Sequence, residues 1–491
     1  MTFFALAVRN LASRRWRTAM LLVGYGLGVA TMIVLLSIGE ALVLQARDEK
    51  LIGGGDVTVL PEGIDVEVMK TGGLGGMFFS IDHARFIYRQ LLASQRFSSD
   101  VAAASPQISG KLVYLRTGDG KSRPVLASGD IPSLTRAVGS EPRTVAGSWS
   151  DDVGDHEWTA PTAAELRHEI DHFHLPPTDV RADSTWGEWH YFNVLWPSGK
   201  KWAFISFIVG GAVPDGKWGG QVLVTMHEIG KPVRRFISYV RPQVIQFSTN
   251  RADATLAASS VHVLANGDYA VRAHTRDESS GAELRIDLTV SPAPNAFFPG
   301  ASIGGAGVIS GYVVPALRAS ASGTVCVDGQ CETIASAQSY HDHNWGIWHN
   351  VAWEWGEARA GDYTLLYGRI VTEGAPEQPL FLYVVDSLGF VGLFRPRTIE
   401  YIDGRTTSVD GKTIPVPSSG TMTDSRAGDE LRVELRIDDA TATDVHRSAR
   451  QPIDGFSKRY FVQMKGTATI SGQVAGKSIG GKGTGFFETY R

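Results

Sequence analysis

The chain opens with a basic segment and a long apolar one. Met1 to Thr18 carries Arg9, Arg14, Arg15 and Arg17 and no acid, and Ala19 to Ile38 then runs twenty residues without a charge. At about 1.5 Å per residue, that run crosses a hydrocarbon layer of roughly 30 Å. The arginines predict a cytoplasmic N-terminus, so the bulk after Glu40 faces the periplasm of an inner membrane. A cleaved signal peptide is the alternative. Its apolar core is usually about 7–15 residues, and Gly39-Glu40-Ala41-Leu42-Val43 is a poor cleavage site. Farther on, Ala84, Ile87, Leu91 and Leu92 fall near one face of a helix over Asp82–Gln95. The spacing predicts another helix over Glu165–Phe173, and short strands at 111–115 and 124–127. From position 188, strands of alternating pattern recur about every ten residues to the end, as in antiparallel barrels or sandwiches. This predicts a mainly β fold, two barrels of roughly 165–180 residues preceded by one transmembrane helix and a small α+β domain.

Composition agrees. Glycine is 55 of 491 residues, which suits a body rich in turns, and a net charge of −4 with 20% charged residues offers no footing for nucleic acid. The triplets Gly-Lys-Ser at 120–122 and 476–478 lack the glycine five positions earlier that a phosphate loop needs, since Leu115 and Ser471 stand there. The glycine runs at 53–55 and 72–76 read as flexible turns. The only cysteines are Cys326 and Cys331, flanking Asp328-Gly329, a strong hairpin signal. That turn places the cysteines opposite each other, so a cross-strand disulfide is expected in an oxidising compartment.

The chemistry concentrates in Tyr340-His341-Asp342-His343-Asn344-Trp345-Gly346, followed by Trp353-Glu354-Trp355. Residues both aromatic and ionisable suit a wall around an apolar ligand. On a strand, His341, His343 and Trp345 share one face and Tyr340, Asp342 and Asn344 the other. Earlier, Glu188, His190 and Phe192 oppose Trp189 and Tyr191.

Two resemblances order these segments. Asn10-Leu11, the basic cluster, Arg17-Thr18 and the glycine-bearing helix resemble the opening of MacB/FtsX-type ABC transporter permeases. Those proteins have four membrane helices and this chain has one, so transport activity does not carry over. Asp171-His172, Glu188-Trp189-His190-Tyr191-Phe192, Asp342-His343-Asn344-Trp345-Gly346 and the closing Gly485-Phe486-Phe487-Glu488-Thr489-Tyr490 resemble, in order, the AttH-like family, related to carotenoid 1,2-hydratases. That resemblance spans about 150–491 and implies tandem lipocalin-like barrels and an apolar ligand, often isoprenoid or polyketide. The family usually reads Glu-Trp-Trp-Tyr, and here His190 replaces the second tryptophan, so substrate identity does not carry over. The expected division is 1–40 tail and membrane helix, 41–146 small permease-like domain, 147–312 first barrel and 313–491 second barrel.

The resemblance implies a protein that binds a lipid or isoprenoid and either catalyses its acid-assisted hydration or cyclisation or only holds it. For hydration, Asp342 is the candidate proton donor, His343 or His341 the base that activates water, and Trp345, Trp353 and Trp355 the wall that stabilises a cation. Tyr340, Asn344, Glu188, Trp189, His190, Tyr191, Asp171 and His172 complete the candidate ligand wall. The bland alternatives are polar bracing of a barrel end and a non-catalytic accessory that passes lipid to ABC transporter subunits. His341-x-His343 could start a metal site with His349 or Glu354; no spacing supplies a fourth ligand, and no metal or cofactor is expected. His168 and His172 lie four apart on the expected helix, a pattern more typical of a solvated face.

Overall fold

A computed structural model describes residues 13–47, 55–57, 81–93, 96–140, 149–174, 186–212, 216–305, 308–347, 351–372, 380–409, 411–426, 428–444 and 459–491. The glycine run at 72–76, most of 53–55, the linker stretch 141–148 and His349 lie outside them. The chain divides into two units, Met1–Phe79 with Ala102–His156, and Ser80–Val101 with Glu157–Arg491.

The first unit contains the Arg15–Arg47 helix, whose segment Arg15–Val34 is long and apolar enough to cross a membrane, with none of it buried. It also holds a hairpin of β1 (Gln107–Arg116) and β2 (Ser122–Asp130), closed by the pair Arg116–Ser122, and a short helix, Pro132–Ala137.

The second unit is almost all strand. Eight strands close into an antiparallel barrel: β3 (Trp186–Leu195), β4 (Lys201–Ala212), β5 (Lys217–Glu228), β6 (Arg234–Val240), β10 (Tyr269–Asp277), β11 (Glu283–Pro292), β13 (Val308–Val327) and β14 (Gln330–Gly346). β14 pairs with β3, and β10 pairs with both β6 and β11, which shuts the ring. Short strands β7 (Ile245–Phe247), β8 (Ala254–Leu256) and β9 (Ser259–Val263) extend from β10, and β12 (Phe298–Gly305) pairs with β13. The ring is filled by one apolar cluster that includes Phe173, Phe192, Phe207, Phe236, Val271 and Leu288.

A second antiparallel sheet has nine strands: β15 (Val351–Ala360), β16 (Tyr363–Thr372), β17 (Phe381–Asp386), β18 (Gly389–Phe394), β19 (Glu400–Val409), β20 (Lys412–Arg426), β21 (Asp429–Asp444), β22 (Tyr460–Val474) and β23 (Lys477–Tyr490). Leu382, Val416, Val433, Met464 and Phe487 fill one of its faces. The other face packs on the outside of the barrel through Tyr312, Leu317, Tyr340, Leu366 and Phe381.

Two expected boundaries move. Residues 313–346 were assigned to the second barrel, but β13 and β14 complete the first. β13 bonds to β11, and β14 needs β3 to satisfy its outer edge, so the break falls after Gly346. The Ile81–Ala93 helix, expected in the small domain, packs on the barrel: Phe86 meets Ile170, Val313 and Trp345, and Arg85 pairs with the buried Glu169 at 2.6 Å.

The Asp328-Gly329 turn forms as expected. Both residues have positive φ, 49° and 77°, as a tight hairpin turn requires, and Cys326 faces Cys331 in a disulfide.

Candidate functional site

The helix Ala163–Ile170 begins with a capping box in which Thr162 and Glu165 exchange side-chain and backbone hydrogen bonds. It ends at Asp171, whose extended backbone (φ −134°, ψ 94°) turns the chain into the barrel mouth. The expected helix to Phe173 therefore stops early. His168 and His172 do not pair: His168 Nδ1 accepts from the Ala252 amide at 3.0 Å, and His172 stacks on His174 with ring centres 4.6 Å apart.

Asp171 enters a fully buried cluster with Glu188, His190, His341 and His343. Its Oδ2 accepts from Tyr269 at 2.5 Å and lies 3.2 Å from His341 Nε2, while Oδ1 is 2.5 Å from His343 Nδ1. His343 Nε2 lies 2.8 Å from Glu188 Oε1, an ion-pair distance at an angle outside a normal hydrogen bond. Glu188 also accepts from the His174 amide at 2.9 Å. Burial opposes charge on His343, but the carboxylates of Asp171 and Glu188 outweigh it and raise its pKa to about 9. Burial likewise works against ionised Asp171; the imidazoles of His190 and His343 and the bonds from His341 and His343 hold it well below the usual range. Burial lowers His190 and His341. Trp345 stacks flat on His174 at 3.7 Å and lies with Phe86 and Ile170, so it covers this cluster.

The opposite face of β14 meets the second sheet. Trp355 Nε1 donates to the Tyr340 hydroxyl at 2.9 Å, Tyr340 donates to Asp342 Oδ2 at 2.7 Å, and Asn344 donates to Asp342 Oδ1 at 2.7 Å. Asn193 donates to Glu357 at 3.1 Å; Trp353 and Gln463 donate to Glu488 at 2.8 and 3.1 Å. Trp189 stands near Trp353, with ring centres 6.3 Å apart. Gly368 lets the Trp355 indole lie flat across β16, because a Cβ there would overlap the ring. Burial raises Asp342 to about 8, aided by the charge of Glu488 and opposed by the Tyr340 and Asn344 bonds. Burial raises Glu357 to about 7 against the pull of Arg359, and raises Glu488.

Between these residues lies a gap lined by Tyr191, Tyr340, Trp355, Glu357, Phe486 and Glu488. It leaves about 10 Å³, room for about one water, whereas a preformed site for a drug-sized ligand is about 300–1,000 Å³. The side chains interlock, and the expected hollow is not open.

Strand alternation holds at every expected position and separates the expected catalytic set. His341 and His343 lie inside the barrel and Asp342 outside it, so neither imidazole can act as base across one ligand from Asp342. His190 also faces the barrel interior, so replacing a tryptophan there changes the barrel core and leaves the gap wall unaltered. Glu354 points to the other side of its sheet and pairs with Arg369 at 2.5 Å. Tyr340, Trp355 and Tyr191 do line the gap; Asn344 and Trp353 stand behind it, on Asp342 and Glu488. Glu357, Glu488 and Asn193 were missed. Glu357 continues the period-two series Trp353, Trp355, which was the available signal, and Glu488 lies within the closing aromatic motif.

An eight-stranded antiparallel barrel with a second antiparallel sheet packed on it is a lipocalin-like architecture. No family model and no curated protein matches the chain. Among solved structures, the chain is similar to an AttH protein assigned in Nitrosomonas europaea, at 17% identity over 65% of this chain and 98% of that one, with a TM-score of 0.44. It is also similar to CghA, solved with Sch210972 (12%, 62% and 88%, TM-score 0.38), and to kievitone hydratase from Nectria haematococca (13%, 65% and 94%, TM-score 0.37). Likenesses at this level carry no argument about what this chain does.

Proposed function

We propose that this is a membrane-anchored envelope protein that takes an apolar isoprenoid or lipid molecule between its barrel and second sheet and moves a proton to or from it. One observation carries the reading: Glu357 and Glu488, both buried, line one aromatic-walled gap, and Asp342 reaches it through the lining Tyr340, whose hydroxyl lies 2.7 Å from Asp342 Oδ2, with Asp342 and Glu357 raised to about 8 and about 7. At neutral pH such a pair supplies one carboxylic acid and one group poised to accept a proton. Asp342 is the acid, and Glu357 takes the role of base that His343 and His341 cannot fill. A carboxyl that keeps its proton to about pH 8 is a weak acid, so the reading favours a double bond already polarised by conjugation over an isolated alkene. The guest enters by exchanging the Trp355–Tyr340 and Asn193–Glu357 bonds for its own contacts, while Trp355 faces any cation that develops.

The apolar helix and its basic flank support an inner-membrane anchor with the β body in the periplasm. The permease-like opening of the sequence supports ABC transporter subunits as partners. In the accessory reading the same gap opens only to pass lipid, and no bond is made or broken in it.

Native mass spectrometry of detergent-purified protein should show a co-purified apolar molecule. With a conjugated isoprenoid or enone offered as substrate, Asp342→Asn should lower hydration by about 10²–10⁴-fold. Unchanged turnover removes Asp342 from the chemistry, and binding with no turnover in either form leaves the accessory role.

A further inference from the structure

Inside the barrel, Asp171, His190 and His341 each present one donor atom, and the three atoms lie within 4.8 Å of one another. Each residue is fully buried. They arrive from three places: the end of the Ala163–Ile170 helix, β3 and β14. The donors are two imidazole nitrogens and one carboxylate oxygen, a set that suits Zn²⁺ and its first-row neighbours far better than Ca²⁺ or Mg²⁺.

Two features of the hydrogen bonding point to a cation. First, His341 Nδ1 is 3.0 Å from the Tyr191 carbonyl. A carbonyl only accepts, so Nδ1 carries the proton. In the neutral ring Nε2 is then a bare lone pair, and it faces Asp171 Oδ2 at 3.2 Å, itself an acceptor from Tyr269. A second acceptor facing the first is unfavourable unless a proton or a cation lies between them. Second, His190 is fully buried with no side-chain partner of normal geometry; the Ala252 backbone can serve one ring nitrogen, the other has none, and Nδ1 is 3.8 Å from Asp171 Oδ1. Leaving a buried polar atom unpaired costs about 1–3 kcal/mol.

We propose that Asp171, His190 and His341 bind a divalent first-row transition-metal ion inside the barrel. Donor atoms on one tetrahedral Zn²⁺ lie about 3.4 Å apart, so the cluster, whose donor atoms lie within 4.8 Å, closes by up to about 1.4 Å when it takes the ion. The surroundings are those of a metal site: the Tyr191 carbonyl fixes the His341 tautomer, and Tyr269 and His343 hold the carboxylate, with Glu188 behind His343. Phe173 and His343 flank the His190 ring with centres 5.1 and 4.1 Å away. The site lies on the opposite side of β14 from the carboxyl-lined gap and stands whether or not that gap does chemistry.

The test uses full-length protein in detergent, stripped by chelator under mild denaturation and renatured with Zn²⁺ or Co²⁺ alone. Elemental analysis after dialysis should find about one Zn²⁺ per chain, and Co²⁺ should give visible absorption bands of nitrogen–oxygen coordination. His190→Phe and, as a second variant, His341→Gln should each fall to about a tenth of that metal content or less and lose the bands while keeping the wild-type circular dichroism. Wild-type protein holding less than about a tenth of an equivalent overturns the proposal. So does a folded His190→Phe that binds as the wild type does. If both variants misfold, the wild-type stoichiometry and Co²⁺ spectrum decide alone.

Discussion

Asp171 and Asp342 are the same residue type at the same burial, on opposite sides of β14, and their acidities move in opposite directions. Asp171 is ringed by imidazoles and a tyrosine hydroxyl and is held ionised. Asp342 has a tyrosine, an asparagine and the charge of a neighbouring glutamate, and it keeps its proton to about pH 8. Burial opposes the charged form in both places, so the partners decide the outcome. The barrel interior is a compensated ionic network that braces the fold, whereas the gap outside is a store of protons.

The strongest way to break this comparison is Asp171→Ala. It leaves the His343 imidazolium buried beside Glu188 alone and strips Tyr269 of its acceptor. Removing one partner of a buried ion pair costs about 3–5 kcal/mol. The apparent unfolding free energy in urea should fall by about that much, and a loss under about 1 kcal/mol would mean the network braces nothing.

Asp342→Asn tests the other side through pH. The folded pKa of Asp342 is raised, so the folded state holds a proton that the unfolded chain releases above its ordinary carboxyl pKa of 3.8. Stability is therefore full below that value and is lost as pH rises through about 8. Asparagine resembles the protonated carboxyl, so the variant should match wild type at pH 4 within about 1 kcal/mol. Between pH 4 and 8 it should gain on wild type by up to about 1.4 kcal/mol per pH unit. Parallel profiles would show that Asp342 is ionised like Asp171, and the contrast would disappear.

The alternation of β3 and β14 was readable in the sequence, because period-two placement of side chains is a local property of any strand. Which face becomes the barrel interior was not, since that depends on β14 closing against β3, some 150 positions earlier. The same long-range closure moved the boundary from 312 to beyond Gly346. Strands β12 and β20 contain the runs Gly-Ala-Ser-Ile-Gly-Gly and Pro-Val-Pro-Ser-Ser-Gly, whose glycines and prolines read locally as turns. The hairpin at Asp328-Gly329 was legible because its chemistry is local. Tyr269 and His174 carried no local sign of their roles, because distant elements bring them to Asp171 and Glu188.

The smallest effect sharpens the comparison by serving as its control. Cys326 and Cys331 join β13 and β14 at the end of the hairpin away from both clusters. His341 lies ten positions after Cys331, about 33 Å along a strand. A disulfide closing so short a ring limits the unfolded chain little, about 2 kcal/mol at 25 °C in the chain-entropy view. The neighbouring pairs Val325–Glu332 and Val327–Gln330 hold the register without it. Replacing both cysteines with serine should therefore lower stability by about 2 kcal/mol or less and leave the slope of stability against pH between 4 and 8 as in wild type. A flattened slope would mean that tension at the hairpin turn reaches Asp342, and the partners beside the carboxyl would no longer suffice to explain why it stays protonated.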